Sequence, residues 1–95
     1  MKKYEIMYIL KANLEEGARK EVMEKLHAIL TNNGGKVTNV NEWGLRDLAY
    51  PIKKESKGYY VVIKVECEPN ATKEFDRKTK INSNVLRYLV TVDQE

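Results

Sequence analysis

The sequence predicts an α+β fold of the ferredoxin-like, split βαβ type (βαββαβ), with a four-stranded antiparallel sheet and two helices on one of its faces. Three observations predict it. Two stretches carry apolar residues at helical spacing. Four others are rich in β-branched and aromatic residues or alternate in polarity, as strands do. Cap and turn residues separate these stretches in the order strand, helix, strand, strand, helix, strand. A chain of 95 residues suits one domain spanning 1–95. The fold leaves the second sheet face open, and fold alone does not say what binds there.

Residues 3–11 are dense in Ile, Met, Tyr and Leu and read as a central strand. Asn13, with Glu16 three residues on, has capping-box spacing for a helix start. Leu14, Ala18, Val22, Leu26, Ile29 and Leu30 then form one apolar stripe, and Gly34-Gly35 ends the helix. Val37 and Val40 among polar neighbours mark a second strand, interrupted at Gly44 by a bulge or bend. The strand resumes over 45–52, where Pro51 places it on a sheet edge. Residues 53–58 read as a polar turn, and 59–65 as a third strand. Asn70 is the expected cap of a second helix with a thin stripe of Ala71, Phe75, Thr79 and Ile81. Residues 85–92 form the last strand.

Hydrophobic residues make up 42% and charged residues 33%, the composition of a folded chain with a highly charged surface. The net charge of +3 permits an anionic partner without demanding one. Its distribution says more. Glu15, Glu16, Glu21 and Glu24 outweigh the basic residues of the first helix. Arg46, Lys53, Lys54, Lys57 and Lys64 dominate the middle of the chain, and Lys73, Arg77, Lys78, Lys80 and Arg87 its last third. A phosphate-facing surface needs such segregation, although solvated faces produce it too.

Enzyme chemistry finds little support. His27 is the only histidine and sits in the first helix, where a half-packed residue is the ordinary reading. Cys67 lies between Glu66 and Glu68, whose charges would dull a thiolate nucleophile. A lone cysteine excludes an internal disulfide and makes a zinc cluster implausible, so no metal and no cofactor is expected. The apolar run at 6–10 is too short for a signal segment, and no stretch approaches a membrane span. These features point to a cytoplasmic protein with no membrane and no small-molecule substrate. Lys57-Gly58-Tyr59-Tyr60-Val61-Val62-Ile63-Lys64 partly matches the RNA-recognition-motif signature K/R-G-F/Y-G/A-F-V-x-F/Y. However, Tyr59, Val61, Ile63 and Val65 form the wholly apolar set of this strand. They should face the helices, a register that disfavours stacking on single-stranded RNA.

The stretch 43–53 is the most informative. Gly44, Arg46, Leu48, Ala49, Tyr50, Ile52 and Lys53 match the motif of the bacterial small-subunit ribosomal protein six family, which the chain resembles over nearly its whole length. Lys3-Tyr4-Glu5-Ile6-Met7-Tyr8-Ile9-Leu10, Phe75-Asp76-Arg77 and the Arg87 strand add to the resemblance. It implies a structural component of the small ribosomal subunit. Such proteins pair with small-subunit ribosomal protein eighteen, and the pair binds the central domain of the small-subunit ribosomal RNA during platform assembly.

Beside that implication, long basic side chains at Lys2, Lys3, Arg46, Lys53, Lys54 and Arg87 are the candidate RNA contacts, with Arg46 and Arg87 foremost. Trp43, Leu45, Tyr50, Pro51 and Tyr60 are the candidate protein-partner contacts, because aromatics are enriched at interfaces. A period of two would send Leu48, Tyr50 and Ile52 together to the core. It would leave Trp43 and Leu45 on the opposite face, unless Gly44 resets the register. Two rival readings stand beside the assembly protein. One is a regulatory domain binding a small ligand near Asn32-Asn33-Gly34-Gly35; the other is an enzyme of the same fold.

Overall fold

A computed structural model describes residues 2–52 and 54–92. Its elements are β1 (Lys2–Lys11), α1 (Glu16–Asn32), β2 (Lys36–Ile52), β3 (Glu55–Cys67), α2 (Pro69–Lys80) and β4 (Val85–Val92). The sheet order is β2-β3-β1-β4, with every pairing antiparallel. This is the predicted βαββαβ fold, with β1 central and β2 on an edge, where Pro51 costs no ladder hydrogen bond.

The alternation of β1 and β3 builds the core. Tyr4, Ile6, Tyr8 and Leu10 lie opposite Val65, Ile63, Val61 and Tyr59, and all but the half-buried Tyr59 are buried. Val22, Met23, Leu26 and Leu30 of α1 and Ala71, Phe75 and Thr79 of α2 close over them. Residues at i, i+4 and i+8 share one helix face, so one large side chain flanked by two small ones seats α2. Ile81, counted in that stripe from spacing, lies beyond the helix and is 81% exposed. Ala18 of the α1 stripe is likewise exposed, whereas Met23 is buried.

Both helix starts differ from expectation. Glu15 and Glu68 occupy the N-cap positions, and neither makes a side-chain cap bond. Asn13 stands two residues too early. Asn70 is inside α2, which opens on Pro69, a residue suited to the first turn because its missing N–H needs no partner. The end of α1 is as expected. Gly35 N–H donates to Leu30 O at 2.8 Å and Gly34 N–H to Thr31 O at 3.2 Å, the two bonds of a Schellman cap. Gly34 supplies the left-handed φ of +82°, and Gly35 supplies space, since a Cβ there would sit 2.8 Å from Leu30 O. Asn33 Nδ2 donates to Ile29 O at 2.7 Å, so the loop that a small-ligand reading required is committed to capping.

The strand β3 starts at Glu55, earlier than the polar turn over 53–58 allowed, and Lys54 turns the chain with a φ of +67°. Three irregularities shape β2: between Val37 and Asn39, between Glu42 and Gly44, and between Asp47 and Ile52. Each extra residue reverses the faces that follow. The first explains why Val37 and Val40, three apart, both pair with helix-side residues, Val65 and Ile63.

His27 bridges α1 to the core. Its Nε2 lies 2.8 Å from the hydroxyl of the buried Tyr8, with the rings edge to face at 6.0 Å. Burial holds the imidazole below its ordinary pKa, and Glu24 and Glu42 pull partly the other way. Burial first, then the charge of Glu42, pushes the Tyr8 hydroxyl well above its ordinary range, so it stays protonated. Because the folded pKa is depressed, the unfolded chain binds the proton first. The contribution of His27 is therefore complete above its ordinary value of 6.5 and is lost as pH falls below it. The urea midpoint should drop between about pH 7.5 and about pH 5.5, and His27→Gln, which keeps a partner for Tyr8, should flatten that drop. An equally steep drop in the variant would assign the pH dependence to other groups.

Candidate functional site

Residues directly opposite in an antiparallel ladder share a face, so the register defines the side of the sheet that no helix covers. Its rows run Lys36, Glu66, Lys3; then Asn39, Lys64, Glu5, Thr91; then Asn41, Val62, Met7, Leu89. Next come Gly44, Tyr60, Ile9, Arg87, and finally Arg46, Gly58, Lys11. Basic side chains outnumber acidic ones on this face. The exposed acids Glu15, Glu16, Glu21 and Glu24 sit on the opposite side of the molecule, in and beside α1.

The bulge at Trp43 turns its indole onto the open face. There it lies parallel to Tyr60, with centroids 6.5 Å apart and planes 7° from coplanar. The Arg46 guanidinium carbon stands 5.4 Å from the Trp43 ring centroid, within cation–π range. Gly44 carries the bulge with a φ of +87°. The register resets there, and Leu45 is consequently on the helix side, paired with Tyr59 and 58% exposed. Trp43 and Leu45 do not share a face.

Past Asp47 the end of β2 bends across the open face. Leu48, Tyr50 and Ile52 do not enter the core, as a period of two implied. With Ile9, Tyr60 and Arg87 they help to line a depression of about 200 Å³. Gly58 makes room for Ile9 in its floor, because a Cβ there would lie 2.3 Å from Ile9 Cγ2, while Leu48 Cδ2, at 3.4 Å, would be in ordinary contact. Close packing explains the glycine of the partial RNA-recognition signature. Val61 of that signature is buried, and Tyr59 faces α1 with Arg19 stacked 4.1 Å above its ring and Glu42 accepting from its hydroxyl at 2.8 Å. A second, larger depression of about 280 Å³ lies beyond Trp43, toward Glu5, Asn39 and Lys64.

The structure divides the predicted RNA contacts. Arg46 and Arg87 project from the same end of the open face, and Lys54 is at the hairpin turn beyond it. Lys53 lies outside the described residues. Lys2 and Lys3, both exposed, sit at the other end of β1 opposite Cys67 and Glu66, nine and eight residues from Lys11, or about 26–30 Å. Among the partner candidates, Trp43, Tyr60 and Tyr50 gather on one face, and Pro51 is exposed on the edge strand next to Tyr50. Sequence reasoning missed Met7, Ile9, Val62 and Leu89, the apolar floor between the two depressions. In β1 the open-face set is Lys3, Glu5, Met7, Ile9 and Lys11, and its charged members mark a solvated face without signalling the two apolar residues at its centre. Leu89 was legible as the odd member beside Tyr88 and Val90, which pack on the core.

Neither of the groups that could have served catalysis lies in this site. His27 and Cys67 are on the helix side. Burial, then Glu68, pushes the Cys67 thiol up. Among the described residues no cluster could hold a metal ion, and no helix is long and apolar enough to cross a membrane.

Known proteins share both the sequence and the fold. The chain is 50% identical over 95 residues to the small ribosomal subunit protein bS6 of Halalkalibacterium halodurans, covering all of both chains. It superposes with a TM-score of 0.91 on the crystal structure of 30S ribosomal protein S6 from Thermotoga maritima. That structure is 28% identical, and the match covers 97% of this chain and 87% of that one. The profile described as Ribosomal protein S6 matches residues 3–91, and the chain accordingly belongs to the ribosomal protein S6 family of small-subunit proteins.

Proposed function

We propose that the chain acts as one structural domain of the small ribosomal subunit. It binds the central domain of small-subunit ribosomal RNA jointly with small-subunit ribosomal protein eighteen, in the cytoplasm, during platform assembly. One observation carries this reading. The open face brings an apolar and aromatic patch (Trp43, Tyr60, Tyr50) against two arginines, Arg46 and Arg87, at the same end of the sheet. A protein covering the aromatics would border the cations that meet phosphate.

A domain with a net charge of +3 neutralises few phosphates by itself, so the joint surface is what binds. Binding of the purified chain to a central-domain fragment, with and without protein eighteen across a salt series, tests this. Tight, salt-sensitive binding is expected only with the partner. Arg46→Ala and Arg87→Ala should each reduce the magnitude of the logarithmic salt slope by about 0.9. Absence of binding in both conditions would overturn the reading.

A further inference from the structure

We infer that Tyr50 is a positioning residue for RNA binding, acting through Arg87 and coupling the partner surface to the RNA surface. The inference rests on the role proposed above for Arg87. Tyr50 belongs to the hairpin end of β2, and Arg87 to β4 at the far edge of the sheet. Three strand spacings, about 14 Å, separate those strands. Because β2 bends over the open face, the pair nevertheless meets, and Arg87 Nη1 donates to the Tyr50 hydroxyl at 2.5 Å.

The chemistry of this contact fits a positioning role. A guanidinium has five N–H donors in a rigid fork, and Tyr50 takes one of them. Four remain to grip a phosphate, so the contact orients Arg87 without occupying it. In the free chain Tyr50 is 57% exposed and its hydroxyl is open to water, which weakens the hold. A partner seated on the aromatic patch would exclude that water and fix the arginine before RNA arrives. Coupling of this kind is reciprocal, so RNA would tighten partner binding by the same factor.

Tyr50→Phe keeps the ring and removes the hydroxyl. The preformed pair carrying it should bind the central-domain fragment about threefold to tenfold more weakly than the wild-type pair. Its salt slope should be unchanged, because Arg87 still reaches the phosphate. Affinity for protein eighteen without RNA should fall by a smaller factor than affinity for RNA does, because the ring that the partner covers is kept. Arg87→Ala should reduce the slope, and adding Tyr50→Phe to it should cost nothing more. Wild-type RNA affinity for Tyr50→Phe, or additive losses in the double variant, would overturn the inference and leave the proposed function standing. A loss of partner affinity without RNA as large as the loss of RNA affinity would overturn it too, because Tyr50 would then act through docking alone. Failure of the wild-type pair to bind would remove both.

Discussion

Phe75→Ala is expected to destabilise the fold by about 3–5 kcal/mol, a large part of the roughly 5–15 kcal/mol that holds a domain of this size folded. The buried residues of α2 are Ala71, Phe75 and Thr79, and only Phe75 is large. Its ring is fully buried and meets Tyr88 edge to face, with centroids 6.0 Å apart and planes at 82°. Such a pair adds about 0.5–1.5 kcal/mol beyond the area it buries. Truncation removes that contact and opens a cavity under a helix whose neighbours are too small to collapse into it.

The second tie between α2 and β4 depends on the same seat. The Tyr88 hydroxyl donates to the Asp76 carboxylate, and burial, then that bond and charge, pushes its pKa up to about 12. Thr79 Oγ1 is buried without a hydrogen-bond partner among the described residues, so the remainder of the stripe cannot compensate. The urea midpoint of the variant measures the effect. Phe75→Leu should cost much less, about 1–2 kcal/mol, because it keeps most of the volume. A loss below about 1 kcal/mol for Phe75→Ala would show that α2 is held by something other than this side chain.

Phe75 also shows what the sequence made legible. Spacing found the α2 stripe because helical period and burial coincide there. The same held for β3, where Val61, Ile63 and Val65 are apolar and their alternates are not wholly so. Boundaries were less legible. Asn13 and Asn70 have the right chemistry for caps, but Glu15 and Glu68 hold the cap positions without side-chain bonds. Burial of the stripe fixed the helices, and the caps did not.

The open face was the least legible region, for a related reason. Strand patterns assign faces only while the period of two persists, and β2 breaks it three times. Gly44 signals one break from sequence. Nothing in Asp47-Leu48-Ala49-Tyr50 signals that the strand will bend across the sheet. A residue pairing such as Arg87 with Tyr50, 37 positions apart, follows from that bend alone.

Those bulges make Trp43→Ala and Leu45→Ala a discriminating pair. Under the proposed function, Trp43→Ala should weaken binding of protein eighteen by about 2–4 kcal/mol, or roughly 30-fold to 1,000-fold. Tryptophan at the centre of a patch loses the most on truncation, and Trp43 stands between both depressions, stacked on Tyr60 and flanked by Arg46. In the free chain it is 45% exposed, so its loss should change stability by no more than about 1 kcal/mol. Leu45 is more exposed, at 58%, and only two residues away, but it points to the helix side. Its truncation should leave partner affinity within about threefold. Calorimetric titration of each variant with protein eighteen separates the two faces of β2. An unaffected Trp43→Ala beside a weakened Leu45→Ala would move the partner to the helix side of the edge strand. The arginines of the open face would then have to meet RNA without a protein beside them.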